Sequence, residues 1–437
     1  MTNCTKETTT FLPFKKRKVE ADFSGGSITS DAGILLIRQI DKKLGLIKKI
    51  ASCFTDRRDQ SKIMHSVEKM LQQRVYGIAL GYEDLNDHNE LRKDIAFQTA
   101  VNSDKELASS PTLCRFENTS NKQAIWDAHK VIWNNFVDLF GSPPKELIFD
   151  FDPTDTTIYG NQEGKFYHGY YDDYCFLPLY VFCGSQLLVS YLRTSDKDQA
   201  RHSWAILSLL VKFIRKEWPD VKILFRGDSG LCRHKMFDWC EKNNVNYITG
   251  LSANSRLRKK FIGQINNVKN QFKITNEKQR KFSEFKYAAA TWSKDRRVIG
   301  KAEYSEHGSN NRFIVTNLSG DPQKIYDEIY CARGDMENKI KETQLELFGT
   351  RTSCHDWWPN QLRMLLTAVA YILMDSMRTN ALHDTEFANS QVGTIRLKLF
   401  KIGAVVIRNT RRVKLHLSSA YPWKELFWTV AYRLQPG

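Results

Sequence analysis

Three acidic residues stand in three settings that together could build a metal site. Asp152 closes the apolar run 147–151 and is followed by Pro153-Thr154. Asp228 follows a second apolar run, 221–225. Glu337 lies in Tyr330-Cys331-Ala332-Arg333-Gly334-Asp335-Met336-Glu337, within a segment of helical period. Carboxylates at the ends of two adjacent strands, joined by one from a helix over the sheet, can hold two divalent cations. Hard cations such as Mg²⁺ prefer such oxygens. Two ions ~3.5–4 Å apart activate an attacking water or hydroxyl and stabilise the leaving oxygen of a phosphodiester. The protein then contributes mainly position and charge.

Arg333, Glu337 and Lys341 follow i, i+4, i+8 spacing and share one helix face, with Tyr330 one turn earlier. Such a face can flank a metal-binding carboxylate with cations that grip phosphates. The same spacing also makes an ordinary ladder of surface ion pairs, worth ~0.3–0.5 kcal/mol each. Asp150 competes with Asp152 for the role of first acid, because residues two apart on a strand point to one face. Asp155 is a third candidate.

The elements that must position these acids form a mixed α/β pattern. After Gly141-Ser142-Pro143-Pro144, the run 147–152 reads as a buried strand ending in acids. Strands are expected at 176–182 and 186–191, with Gly184-Ser185 as the hairpin turn between them. An amphipathic helix at 203–218, a strand at 221–225, a helix at 236–243 and a strand at 245–249 complete the core. The first third reads as helical, at 31–46, 60–80 and 85–102. Ser109-Ser110-Pro111-Thr112 reads as a cap with proline at the first helical position. The helix after it would expose Thr112, Arg115 and Asn118, a face suited to DNA and equally to an ordinary capped helix. The stretches 251–300 and 312–317 read as strands and loops without helical period. Helices return at 321–346 and 361–377, then a hairpin at 405–417 and a last helix at 423–434.

Charge narrows the partners. The 437 residues carry 65 Lys+Arg against 49 Asp+Glu, a net charge of +16. Such a surplus points to a polyanion, most often nucleic acid. Residues 251–300 hold 13 Lys/Arg and three acids, and 387–416 hold seven Lys/Arg and no acid. Lys15, Lys16, Arg17 and Lys18 form a short basic run near the start. Candidate DNA contacts are these four, Arg115, Arg256, Arg258, Lys259, Lys260, Arg296, Arg297, Arg411 and Arg412. No apolar stretch approaches the ~18–20 residues of a membrane span. Residues 1–10 have no apolar leader core. The nine cysteines form no Cys-x-x-Cys pair and read as reduced thiols of a cytosolic protein. Cys232, His234 and Cys240 fit no common zinc spacing. Neither a glycine-rich phosphate loop with lysine nor a nucleophile elbow is present, so ATP use and serine hydrolysis have no support.

Taken together, these motifs resemble the DDE transposases of bacterial insertion sequences, and more closely the "IS thirteen-eighty" group. The likeness rests on Phe149-Asp150-Phe151-Asp152-Pro153-Thr154-Asp155, His168-Gly169-Tyr170-Tyr171-Asp172, Tyr174-Cys175-Phe176-Leu177-Pro178-Leu179-Tyr180 and Arg226-Gly227-Asp228-Ser229-Gly230. It continues through the segment from Tyr330 to Glu342, Asn360-Gln361-Leu362-Arg363, and Ser30-Asp31-Ala32-Gly33.

The resemblance implies an RNase H-like core, with Asp152, Asp228 and Glu337 as catalytic and metal-binding triad and Tyr330 and Arg333 as supporting signature. It also implies Mg²⁺-dependent cleavage at terminal inverted repeats, Mn²⁺ substituting, and joining of 3′-hydroxyl ends to target DNA. Relatives place a lysine six residues after the glutamate. Here that position is Thr343, with Lys341 and Lys339 nearby, and Lys341 is taken as its substitute. The expected partners are double-stranded DNA, as element ends and target, and further copies of the chain. The expected location is the bacterial cytoplasm, at the nucleoid.

The expected organisation is a helical end-binding domain at 1–140 and a catalytic core at 141–248 and 318–385. A basic β-rich insertion at 249–317 would split the core, and 386–437 would form a basic hairpin and helix. Two alternatives share these features: a metal-dependent nuclease that only hydrolyses, and a DNA-binding descendant without catalysis.

Overall fold

The computed structural model describes residues 8–435. They form two compact units. One comprises His129–Leu345 and Gly349–Ala368; the other gathers the described residues up to Ala128, Glu346–Phe348, and those from Val369 onward.

The first unit is built on a mixed sheet of nine strands. At its centre Glu146–Pro153, Lys222–Gly227 and Asn246–Leu251 run parallel, in that order. These are the three apolar runs of the sequence, and strands covered on both faces read as such runs. Leu179–Cys183 and then Gln186–Tyr191 extend the sheet antiparallel beyond Glu146–Pro153. Helices Ser203–Glu217 and His234–Lys242 precede and follow Lys222–Gly227, as crossovers between parallel strands require. Phe149, Phe151 and Phe225 are fully buried, and the rings of Phe151 and Phe225 meet edge to face at 5.1 Å.

The stretch 249–317 departs from expectation. Arg312–Thr316 pairs with Asn246–Leu251, Arg296–Ser305 with Arg312–Thr316, and Gln279–Tyr287 with Arg296–Ser305, so the core sheet simply continues. Residues expected as strands and loops instead form helices Ser255–Lys260 and Ile262–Thr275. The Asn254 side chain accepts from Leu257 N at 2.9 Å and caps the first. Leu257, Phe261 and Val268 are buried, and Ile265 and Phe272 half-buried, which is a helical period. The dense lysines and arginines between them mask it.

In the second unit, helices Ile34–Leu44, Leu46–Ala51, Val67–Leu80 and Ser110–Glu117 realise the helical reading. A hairpin, Thr9–Phe14 with Arg17–Ala21, was not legible in it. The basic tail belongs to this same unit. Ala404–Arg408 and Val413–Leu417 form the expected hairpin, and Ala404–Arg408 also pairs with Ile28–Thr29. Ser30-Asp31-Ala32-Gly33 is the seam. Ala32 N donates to Ile402 O at 3.1 Å and Gly33 N to Phe400 O at 3.2 Å. A Cβ on Gly33 would lie 1.9 Å from Leu399 O, so only glycine fits. Asp31 accepts from Lys401 Nζ at 2.6 Å and from the Tyr82 hydroxyl at 2.7 Å.

Among the described residues no helix is long and apolar enough to cross a membrane, and no disulfide joins the described cysteines.

Candidate active site

The strand register sets two of the three acids side by side. Gly227 pairs with Phe151 across the parallel strands, and Asp228 and Asp152 are the next residues on each. Carboxyl ends of parallel strands are where open α/β sheets bind ligands. Asp228 turns the chain there: its Oδ1 accepts from Leu231 N at 3.2 Å and caps the short turn Ser229–Leu231.

The third acid comes from a broken helical segment laid over the sheet. Asp321 caps its start, accepting from Lys324 N at 2.9 Å. A wide π turn, Ile325–Tyr330, then a tight turn, Cys331–Arg333, lead into helix Gly334–Leu345. π turns inside helices recur at functional sites. Ile325 and Tyr326 are seated among Leu224, Ile248, Ile299 and Ile314, which fixes the segment against the sheet. Arg226 Nη1 also donates to Ile329 O at 2.5 Å. At the far end Gln344 Nε2 donates to Asp155 O at 3.2 Å, just past Asp152.

Arg333 links the acids. Its guanidinium donates to Glu337, and Nη1 lies 3.5 Å from Asp152 Oδ1. Burial pushes the Asp152 carboxyl up to about 7; Arg333 opposes that rise, while Asp228, Glu337 and Asp150 add to it. Burial also raises Asp228, against the charge of Arg333. Burial works against the charge on Arg333 itself, but Asp152 and Glu337 outweigh it and hold its pKa raised. Tyr330 closes the other side, its pKa raised by burial. A Cβ on Gly250 would lie 2.7 Å from the Tyr330 hydroxyl and 2.9 Å from Ser229 N, so a bare glycine on the middle strand makes room for both.

Among the described residues no three Asp, Glu, His or Cys side chains converge closely enough to form a ready metal cage. The donor set is nonetheless the one a hard divalent cation takes. The mutual repulsion felt at Asp152 is what added positive charge would relieve, and Arg333 supplies that charge between Asp152 and Glu337.

Asp150 has a different setting. It is 3% exposed, and Arg226 holds both its oxygens, with Nη2 to Oδ2 at 2.7 Å. Reading the residues singly missed Arg226 and Gly250. Arg226 was signalled only by standing two residues before Asp228.

On the helix of Glu337, Lys341 is exposed, Lys339 Nζ donates to Gly184 O at 2.8 Å, and Thr343 is fully buried and donates to Lys339 O. Arg256, Lys259 and Lys260 are exposed and line one open cavity with Lys286, and Arg258 is exposed beside them. Arg296 is not a surface cation. It is 3% exposed, donates to Glu241 Oε1 at 2.9 Å and Asp238 Oδ1 at 2.6 Å, and lies over the Phe237 and Trp292 rings. Strand alternation turned it inward, a direction charge counting cannot see. Arg297 is largely spent on Glu284 and on the carbonyls of Leu318 and Gly320. In the other unit Lys15, Lys16, Arg17 and Arg115 are exposed, as are Arg411 and Arg412 at their hairpin turn. Lys18 pairs with Glu20 at 2.5 Å.

The family model for the transposase DDE domain, group 1, matches residues 11–437. Among solved structures, the chain is similar to a piggyBac transposase synaptic complex with hairpin DNA. The two share 9% identity at a TM-score of 0.39, over 85% of this chain and 80% of that one. No curated protein sequence matches the chain significantly.

Proposed function

The chain belongs to the DDE-domain transposases of group 1, and from that premise we propose that it cuts the terminal inverted repeats of an insertion sequence and joins their 3′-hydroxyl ends to target DNA. The observation that carries this reading is the placement of Asp152 and Asp228 at the ends of adjacent parallel strands, with Glu337 tied to Asp152 through Arg333.

In the first step water attacks phosphorus at the element end, the P–O3′ bond breaks, and a 3′-hydroxyl is released. In the second, that hydroxyl attacks a target phosphodiester, forming a new P–O3′ bond and releasing a target 3′-hydroxyl. Neither step needs a covalent enzyme intermediate. Asp152, Asp228 and Glu337 would hold Mg²⁺, with Mn²⁺ as substitute, and the metal would supply Lewis acidity at the attacking and leaving oxygens. Arg333 and Tyr330 border the acids and are placed to meet the phosphate of the bound strand. Lys341 lies further along the same helix, two residues before Thr343, the position that holds the lysine in relatives, and would stand in for it.

The strand order supports an RNase H-like core: a first strand with an antiparallel hairpin on one side and two parallel strands on the other. The open basic face of Arg256, Arg258, Lys259 and Lys260 suits the DNA backbone. The exposed Lys15, Lys16, Arg17, Arg115, Arg411 and Arg412 of the other unit suit it too. Membership of the "IS thirteen-eighty" group, action at the bacterial nucleoid, and a dimer or larger assembly on DNA complete the reading.

The test is transposition in cells. A resistance marker is placed between the DNA segments flanking the gene, with the protein supplied in trans as parent or Glu337→Gln. Movement with the parent alone is expected. Equal movement with both removes Glu337 from the mechanism. Purified protein that cuts the ends in Mg²⁺ without joining them would mark a nuclease instead.

A further inference from the structure

We infer that the loop between strand Gln186–Tyr191 and helix Ser203–Glu217 is a phosphate-binding site, built around Arg193, which holds a backbone phosphate of the DNA strand beside Asp228. The polymer's identity rests on the transposase reading; the site itself rests on the following geometry.

Arg193 is a buried cation without an ion-pair partner. It is 5% exposed, and no carboxylate among the described residues is in ion-pair contact with it. Carbonyl oxygens hold it instead: Nε donates to Leu177 O at 2.9 Å, and Nη1 to Gln199 O at 2.7 Å and Arg201 O at 2.8 Å. Its Nη2 has no partner at all. An unpaired charge is costly to bury. Three carbonyls fix where the guanidinium sits, and the carboxylate whose charge reaches it, Asp198, is shared with Arg233. An anion would supply what is missing.

A second feature points the same way. Helix Ser203–Glu217, 15 residues long, starts in this loop with no side-chain cap. Its N-cap is His202, held at φ 68°, and the hydroxyl of the fully buried Ser203 has no partner. The positive end of a helix dipole is thus left open. Arg193, Thr194, Lys197, Asp198, Arg201 and His202 line a cavity of about 190 Å³ here. The acids beside it are already engaged. Asp198 takes Arg233 Nη2 at 2.7 Å and Ala200 N at 2.8 Å, and Asp196 takes Lys197. Arg201 is exposed, and its Nε donates to His202 Nε2 at 3.3 Å, an imidazole whose pKa burial lowers.

The loop is seated on the acid site. A Cβ on Gly230 would lie 2.2 Å from Gln199 Oε1 and 3.2 Å from Asp228 Oδ1, so Gln199 packs directly on the turn that Asp228 caps. A strand whose scissile phosphate reached Asp228 would bring a neighbouring phosphate to this cavity. Free inorganic phosphate has the same chemistry, so the test separates the two sources.

The test uses the full chain and the double variant Lys197→Ala/Arg201→Glu. Arg201 sits at the surface and Lys197 at the cavity rim, neither belongs to the acid site, and an unchanged far-ultraviolet spectrum checks the fold. In one arm, binding of a terminal-repeat duplex is measured from 50 to 200 mM salt. Losing one phosphate contact should lower the slope of log K against log salt by about 0.9. In the other arm, the thermal midpoint is followed against inorganic phosphate at matched ionic strength. A flattened slope in the variant supports the site with DNA as ligand. A midpoint rise seen in the parent and lost in the variant, with slopes equal, supports the site with free phosphate as ligand. Parent and variant alike in both arms overturn the proposal. A parent that shows these responses while failing to move or cut DNA sinks the transposase reading and leaves the site standing.

Discussion

Arg226 grips Asp150 at both carboxylate oxygens, from directly opposite it on the neighbouring parallel strand. Two residues further on, Asp152 meets Arg333 at the longer distance of 3.5 Å. One acid therefore serves the sheet, and under the proposed function the other is left for chemistry. Removing one partner of a buried ion pair costs about 3–5 kcal/mol, because the remaining charge stays buried. Asp150→Asn should lose about that much stability in urea unfolding. Asp152→Asn should lose cleavage, with stability unchanged or raised, since burial and neighbouring acids oppose its charge. The reverse pattern would exchange the two roles.

Gly250→Ala tests the packing between the middle strand and the acid turn. The added methyl would press on the Tyr330 hydroxyl, which can move, and on Ser229 N, which carries Asp228 with it. A displacement near 1 Å costs on the order of 10²-fold in rate. Cleavage in Mg²⁺ should fall by roughly that factor while duplex affinity holds. Unchanged cleavage would show that the Asp228 turn tolerates the shift.

Arg296 and its basic neighbours should separate cleanly. Arg296→Ala leaves Asp238 and Glu241 without their shared cation and opens the space over Phe237 and Trp292. It should lower the unfolding midpoint without altering the salt slope of DNA binding. Arg256→Glu/Lys260→Glu should do the opposite, flattening the slope at constant midpoint. A salt slope that responds to Arg296→Ala would return that residue to the interface.

His88 gives its own unit an acid-sensitive point. Burial, then the charge of Arg74, holds its pKa well below 6.5. Arg74 Nη1 lies 3.1 Å from His88 Nε2, and arginine can only donate, so the ring must be neutral. Unfolded, the same ring takes up a proton below about pH 6.5. The unfolded chain then binds more protons, and stability falls as pH drops through that value, approaching about 1.4 kcal/mol per pH unit. His88→Gln should remove this component of the slope between pH 7 and 5. Identical slopes in parent and variant would show that His88 carries a proton in the fold.

The acid-bearing strands were legible in the sequence because an apolar run that stops at a carboxylate matches a buried strand reaching the edge of its sheet, and matches little else. Asp152 and Asp228 came from that pattern, and Glu337 from the helical period around it. What failed did so for physical reasons. The period of Leu257, Phe261, Ile265 and Val268 is weak beside the lysines and arginines between them. The inward turn of Arg296 depends on its pairing with Tyr287 and on Asp238 and Glu241, 58 and 55 residues earlier, which no local window contains. The Arg226–Asp150 pair joins residues 76 apart. The exposed hairpin Thr9–Phe14 with Arg17–Ala21 buries nothing, so it leaves no hydrophobic pattern to read.

The seam at Asp31 has a consequence for how the protein is made. Asp31 is held by Lys401, 370 residues later, and among the described residues Ile28–Thr29 is paired only by Ala404–Arg408. At a ribosomal pace of about 5–20 residues per second, roughly 20–75 s pass between the two ends of that seam. During that time the early helices are synthesised but their closing strand is not. A message cut short anywhere before the codon for Lys401 therefore yields an N-terminal unit that cannot be completed. Translation past Arg408 becomes a condition for finishing the part that was translated first.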